Sequence, residues 1–148
     1  MNNDLMSKLA AIIPANTGME LPPKVFIDMD VEIIDFVEGK TLTVRFPNKE
    51  RYRNPFGFMQ GGIIVAAIDN TLSPLSYTFA PNVTKEINTT FKRSITQGDR
   101  FIEVTASVLE QTLTHIVLQA EVRNEKGKLA ATGTANCVFI KDRECRNT

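Results

Sequence analysis

The chain has 148 residues, 43% of them hydrophobic and 23% charged, the size and composition of one globular domain with one core, read here as residues 1–148. Lys and Arg together number 17, as do Asp and Glu, so no basic field points to nucleic acid or to an anionic membrane as a partner. One His and two Cys leave almost nothing from which to assemble a zinc site, and no metal is expected.

After Asp4, residues Leu5, Leu9, Ile12 and Ile13 recur at helical spacing until Pro14, which predicts a short amphipathic docking helix rather than a signal segment. A connector with Gly18, Pro22 and Pro23 follows, so residues 1–23 read as an N-terminal helix and connector. Val31 to Phe36 and Thr41 to Phe46 are β-branched, apolar runs around Glu38-Gly39-Lys40, the pattern of a hairpin closed by Pro47. Asn48 to Phe58, with Pro55 and Gly57, reads as a loop.

Gln60-Gly61-Gly62 then opens an apolar stretch from Ile63 to Ile68 that continues through Asp69, Asn70, Thr71 and Leu72 to Pro74. This predicts a buried helix that Pro74 kinks or ends. The rest reads as strands over Thr84 to Ile95, Phe101 to Glu110, Thr114 to Arg123 and Lys128 to Ile140. Residues 141–148 form a charged tail. Cys137, in the last strand, and Cys145, in the tail, read as free thiols, and a reducing cytoplasm is the simplest compartment. No stretch approaches the roughly 20 apolar residues of a membrane span. The layout is α+β: an antiparallel sheet wrapped around one long central helix, with a short N-terminal helix. One helix covers only part of such a sheet, so a second copy of the chain is the expected partner.

Nucleophile-elbow, phosphate-loop, zinc-helix and dinucleotide motifs are all absent from the sequence. His115 sits in a strand pattern with no partner group beside it and reads as structural. Asp69 is the informative residue, because a carboxylate within an apolar helix is costly to bury. Two readings stay open: an acid satisfied by a backbone amide or by Asn70 or Thr71, or a general base or nucleophile. The other informative feature is the glycine pair at the helix start, whose N–H groups and helix dipole suit an oxyanion. Asp69 lies eight residues beyond Gly61, about 12 Å along a helix. One protomer cannot bring both to one carbonyl, so if they cooperate they come from two protomers.

Asn54-x-x-Gly57-x-x-Gln60-Gly61-Gly62 followed by Asp69 resembles the signature of the hot-dog-fold acyl-CoA thioesterases, in the branch similar to phenylacetyl-CoA thioesterases. Thr84 to Arg93 resembles the strand that follows the helix in that family, and the likeness extends to about Ile140. The resemblance implies that Asp69 is the base or nucleophile and that the Gly61 amide polarises the thioester carbonyl. It further implies that Asn54 positions water or substrate and that Thr84 supplies a hydroxyl to the acid. Gln60 stands where the branch carries His; its amide can hydrogen-bond a thioester oxygen but cannot transfer a proton. Coenzyme A, which would enter only as part of the substrate, carries phosphates for which Lys92 and Arg93 are the candidate partners. Gly62 and Phe58 would border the substrate, with Phe56 and Met59 as further lining. The implied assembly is a homodimer or a pair of dimers. The competing reading is a non-catalytic hot-dog protein that binds acyl-CoA as a sensor or scaffold. A hot-dog dehydratase is disfavoured because the helix carries no His.

Overall fold

The computed structural model describes residues 3–13 and 20–140. The expected tail at 141–148 and Cys145 lie outside the described residues. Three helices, α1 (Asn3–Ile12), α2 (Lys24–Asp28) and α3 (Gly61–Tyr77), accompany six strands: β1 (Glu32–Val37), β2 (Thr41–Pro47), β3 (Asn82–Phe91), β4 (Phe101–Gln111), β5 (His115–Asn124) and β6 (Leu129–Phe139). The strands form one antiparallel sheet in the order β1-β2-β4-β5-β6-β3. The sheet holds α3 against its apolar face, the hot-dog arrangement.

Alternation in the strands dictates which face receives the helix. Leu42, Val44 and Phe46 of β2, Ile102, Val104 and Ala106 of β4, and Ile116, Leu118, Ala120 and Val122 of β5 are all buried. Their intervening neighbours are polar or less buried, so one register satisfies both faces. Strand β6 presents Ala131, Gly133, Ala135 and Cys137 on the same side. These small residues let α3 come close: a Cβ on Gly133 would stand 3.2 Å from Ile68 Cδ1. Ile64, Ala67, Ile68, Thr71, Leu72 and Leu75 supply the buried stripe of α3. Each large aliphatic side chain removed from water contributes about 1.5–3 kcal/mol before chain entropy is subtracted.

The local differences from the sequence expectations have identifiable causes. Pro74 does not end α3, which runs three residues further to Tyr77. Proline removes one helical donor and crowds the preceding turn. Here Pro74 is itself buried, so packing against the core outweighs that cost. The last turn is tied by Ser76 Oγ to the Ser73 carbonyl (2.7 Å) and by Thr78 Oγ1 to the Leu75 carbonyl (2.6 Å). The connector contains α2, a single turn nucleated after Pro23, whose Phe26 plugs the core. The loop after β2 includes a 3-10 turn at Glu50–Tyr52. The strand expected to reach Ile95 stops at Phe91, and the next residues bend away while Lys92 N–H and Arg93 N–H both donate to the Ala130 carbonyl.

Strand β3 pairs only with β6 and forms one edge of the sheet. It is long, and it exposes Val83 (43%) and Phe91 (52%), which is an open template for another strand. No helix among the described residues is long and apolar enough to cross a membrane.

Candidate active site

Asn54 builds the loop before α3. Its Oδ1 accepts hydrogen bonds from the N–H groups of Phe56 (2.9 Å) and Phe58 (3.1 Å), and its own N–H donates to the Phe58 carbonyl (2.7 Å). This side-chain turn leaves the Asn54 Nδ2 hydrogens without an acceptor among the described residues. Met59 N–H donates to the Ile95 carbonyl (2.9 Å), which clamps the loop to the segment after β3, and Gln60 N–H donates to the Tyr52 carbonyl (2.8 Å), which closes the loop on its own 3-10 turn.

Gln60 is the N-cap of α3 in extended geometry, and its carbonyl accepts from Ile63 and Ile64. Its side chain makes no capping bond and is exposed. Gly61 and Gly62 are therefore the first two helical residues, whose N–H groups have no intrahelical acceptor. A Cβ on Gly61 would stand 3.2 Å from the ring of Phe91, so glycine is what allows that ring to lie over the helix start. A cavity of about 340 Å³ opens here, lined by Asn54, Phe58, Gly61, Phe91, Lys92 and Arg93 among others. The structure thus gathers four expected site residues, Asn54, Phe58, Lys92 and Arg93, around the Gly61 amide. Met59, buried, also lines this cavity; Gly62 lies beside it on the helix, exposed, and Phe56 is 82% exposed.

A second cavity of about 440 Å³ shares Arg93 and Ser94 with the first and adds Lys126 and Lys128 from the β5–β6 turn. Its acid, Asp99, is buried and accepts from the Thr96 N–H (3.1 Å). Lys92, Arg93, Lys126 and Lys128 form no ion pair with any described residue. Lys126 and Lys128 are far in sequence from the helix motif, and only the sheet order brings them to Arg93.

Asp69 lies on another part of α3, two turns beyond Gly61. It is half-buried, and Ser73 Oγ donates to its Oδ1 at 3.0 Å. Asn70 and Thr71, the neighbours considered as its partners, turn instead to the carbonyls of Ala66 and Ala67. Thr84 Oγ1 lies 3.7 Å from Cys137 Sγ, its cross-strand neighbour, and makes no hydrogen bond to Asp69. The register shift between Thr84 and Glu86 makes a bulge at this point of the edge strand.

Two residues outside the motif complete the Asp69 surroundings. Burial, chiefly, holds the Tyr77 hydroxyl above its ordinary range, opposed by the neighbouring Ser73 hydroxyl and assisted by the negative charge of Asp69. Burial likewise pushes the Cys137 thiol up, with the Thr84 hydrogen bond opposing and Asp69 adding to the effect. Cys137 is thus kept as a thiol at neutral pH and is no nucleophile there. Asp69, Ser73 and Tyr77 follow at intervals of four, a spacing legible in the sequence as one helical stripe. His115 serves its turn: its Nδ1 lies 3.0 Å from Thr112 Oγ1 and 3.1 Å from Thr114 Oγ1. Among the described residues no group of three His, Cys, Asp or Glu is placed to hold a metal ion.

A helix start with free amides under a cation-flanked cavity, carried on a hot-dog sheet, defines a class. The chain matches the Thioesterase superfamily over residues 56–131, just over half its length, and belongs to that family. It is 31% identical over 121 residues to the Saccharolobus solfataricus protein named "Putative esterase SSO2140", with 80% of this chain and 84% of that one covered. Among solved structures it is similar to E. coli PaaI from the phenylacetic acid degradation operon, at a TM-score of 0.79 and 20% identity over 92% of this chain and 96% of that one. It is also similar to the Haemophilus influenzae thioesterase HI1161, at a TM-score of 0.73 and 22% identity over 79% and 82% of the two chains. At these identities the structural likeness establishes the hot-dog fold.

Proposed function

We propose that the protein is an acyl-CoA thioesterase whose site is assembled between two protomers, with Asp69 as base and the Gly61 amide as oxyanion donor. The observation that carries this reading is Asp69 itself: a half-buried carboxylate with one oxygen held by Ser73 and the other without a hydrogen-bonding partner among the described residues. Membership of the thioesterase superfamily supports the reaction class.

The chemistry follows from the parts. The thioester oxygen accepts from Gly61 N–H of one protomer, where the helix dipole favours developing negative charge. Asn54 lines the same cavity, and its Nδ2 hydrogens would orient the substrate or water. Asp69 of the partner takes a proton from a water molecule as its oxygen bonds to the carbonyl carbon. Collapse of the tetrahedral species breaks the C–S bond, and the proton passes to the departing sulfur, giving a carboxylic acid and free coenzyme A. Gln60 contributes at most a hydrogen bond, so proton transfer rests on the carboxylate. The unpaired Lys92, Arg93, Lys126 and Lys128 suit the phosphates of coenzyme A, which would run from the first cavity into the second. No other cofactor is required. Pairing of β3 edges would form the homodimer, and the free Cys137 thiol accords with a cytoplasmic setting.

A thiol-release assay over short, medium, long and aromatic acyl-CoAs tests the reading. Hydrolysis by the native chain and its loss in Asp69→Asn, with the melting temperature preserved, is the expected result. Full activity in Asp69→Asn overturns the mechanism. The sensor reading draws on one observation, the exposed Gln60 that cannot transfer a proton, and it predicts binding of acyl-CoA with no thiol released.

A further inference from the structure

We infer that the apolar cavity under α1 receives the end of an aliphatic acyl chain, so that the N-terminal helix sets the chain length of the substrate. This rests on the acyl-CoA reading above and names its substrate class. The cavity lies between α1, the Leu21-to-Phe26 segment and the end of α3, and it is lined by Met6, Ala10, Leu21, Phe26, Pro74 and Tyr77 among others. Its walls are almost wholly carbon, so its natural content is hydrocarbon rather than water.

Two features connect it to the site. Tyr77 lines the cavity and stands one turn beyond Ser73, whose hydroxyl donates to Asp69. A single stripe of α3 therefore runs from the carboxylate to the cavity wall. Eight residues of helix span about 12 Å. An extended chain advances about 1.2 Å per bond, so an acyl group of roughly ten bonds reaches from a carbonyl at Asp69 to the cavity.

The volume decides the shape of the occupant. The cavity measures about 70 Å³. That is roughly half the 150 Å³ of an apolar cavity known to hold benzene, enough for a narrow alkyl end and too small for an aromatic ring. Both α1 and α2 lie outside residues 56–131, the part matched by the family model.

The test uses the full chain and non-hydrolysable thioethers, so that binding is read whether or not turnover occurs. Calorimetry should show S-decyl-coenzyme A binding more tightly than S-butyl-coenzyme A, and S-(2-phenylethyl)-coenzyme A gaining nothing over the butyl compound. Ala10→Phe fills the cavity and should lower the decyl-to-butyl affinity ratio by roughly ten-fold, the worth of about two methylenes. Leu21→Ala, at an exposed side chain that widens the cavity, should move the preference toward S-dodecyl-coenzyme A. Shifts in opposite directions separate a change of cavity from a general folding defect. Affinity independent of chain length, tightest binding of the aryl compound, an unchanged ratio in Ala10→Phe, or no binding of any thioether overturns the inference. Chain-dependent binding without hydrolysis of any acyl-CoA sinks the hydrolase reading and leaves this one standing; hydrolysis with chain-independent binding does the reverse.

Discussion

Ser73 donates its hydroxyl to the carboxylate of Asp69 across one turn of α3, at 3.0 Å. A hydrogen bond to a charged group is worth about 1.5–3 kcal/mol. In an apolar helix it fixes which way the carboxylate points. Ser73→Ala should therefore lower kcat by roughly 10–100-fold with KM little changed, and Ser73→Thr should recover most of the loss. Steady-state kinetics on one acyl-CoA decides. A rise in KM alone would assign Ser73 to substrate binding instead.

Gly61 occupies the first helical position of α3, after an N-cap in extended geometry. Proline is tolerated there because that N–H is not used by the helix. Gly61→Pro should keep the fold and delete the oxyanion donor, costing about 10²–10³-fold in kcat. Gly61→Ala retains the N–H but sets a Cβ 3.2 Å from the Phe91 ring, which must yield by a few tenths of an ångström. It should lose much less activity than the proline variant. Equal losses in the two would show that space, rather than the amide, matters at this position.

Val83 is 43% exposed on the free edge of β3. A lysine on an edge strand opposes pairing with another strand. Light scattering should find the native chain at least dimeric and Val83→Lys shifted toward monomer. Thiol release should fall in parallel if Gly61 and Asp69 come from different protomers. A monomeric Val83→Lys with full activity would place the whole site in one chain.

Glu125 joins the β5–β6 turn to the start of β4 by accepting from the Arg100 backbone N–H (2.8 Å) and Nε (2.7 Å). The Arg100 guanidinium, then the backbone bond, holds its carboxyl below the ordinary range. A depressed carboxylate contributes stability above its unfolded value and loses it as pH falls through the lower, folded value. Glu125→Gln should melt below the native chain at neutral pH, and the gap should close as acid protonates Glu125. Melting curves across the acid range measure this; a gap independent of pH would assign the effect to lost packing.

The β-branched, apolar runs, the apolar stretch after Gln60, and the turn residues were sufficient to read an antiparallel sheet around one helix. These signals are local, since a strand's buried face and a helix's start depend on neighbours a few residues away. The candidate motif from Asn54 to Asp69 was legible for the same reason. Interactions across the chain were not. That α3 passes through Pro74, that α2 fills the connector with Phe26, and that Thr84 meets Cys137 instead of Asp69 follow from packing and cross-strand register, which compare distant residues. Lys126 and Lys128 beside Arg93, and a cavity walled by α1 at the far end of the Asp69 stripe, likewise exist only once β6 has paired with both β3 and β5 and α1 has docked. The residues of one local motif were readable from the chain; what surrounds the carboxylate was decided by burial, because burial alone brings together segments that sequence keeps apart.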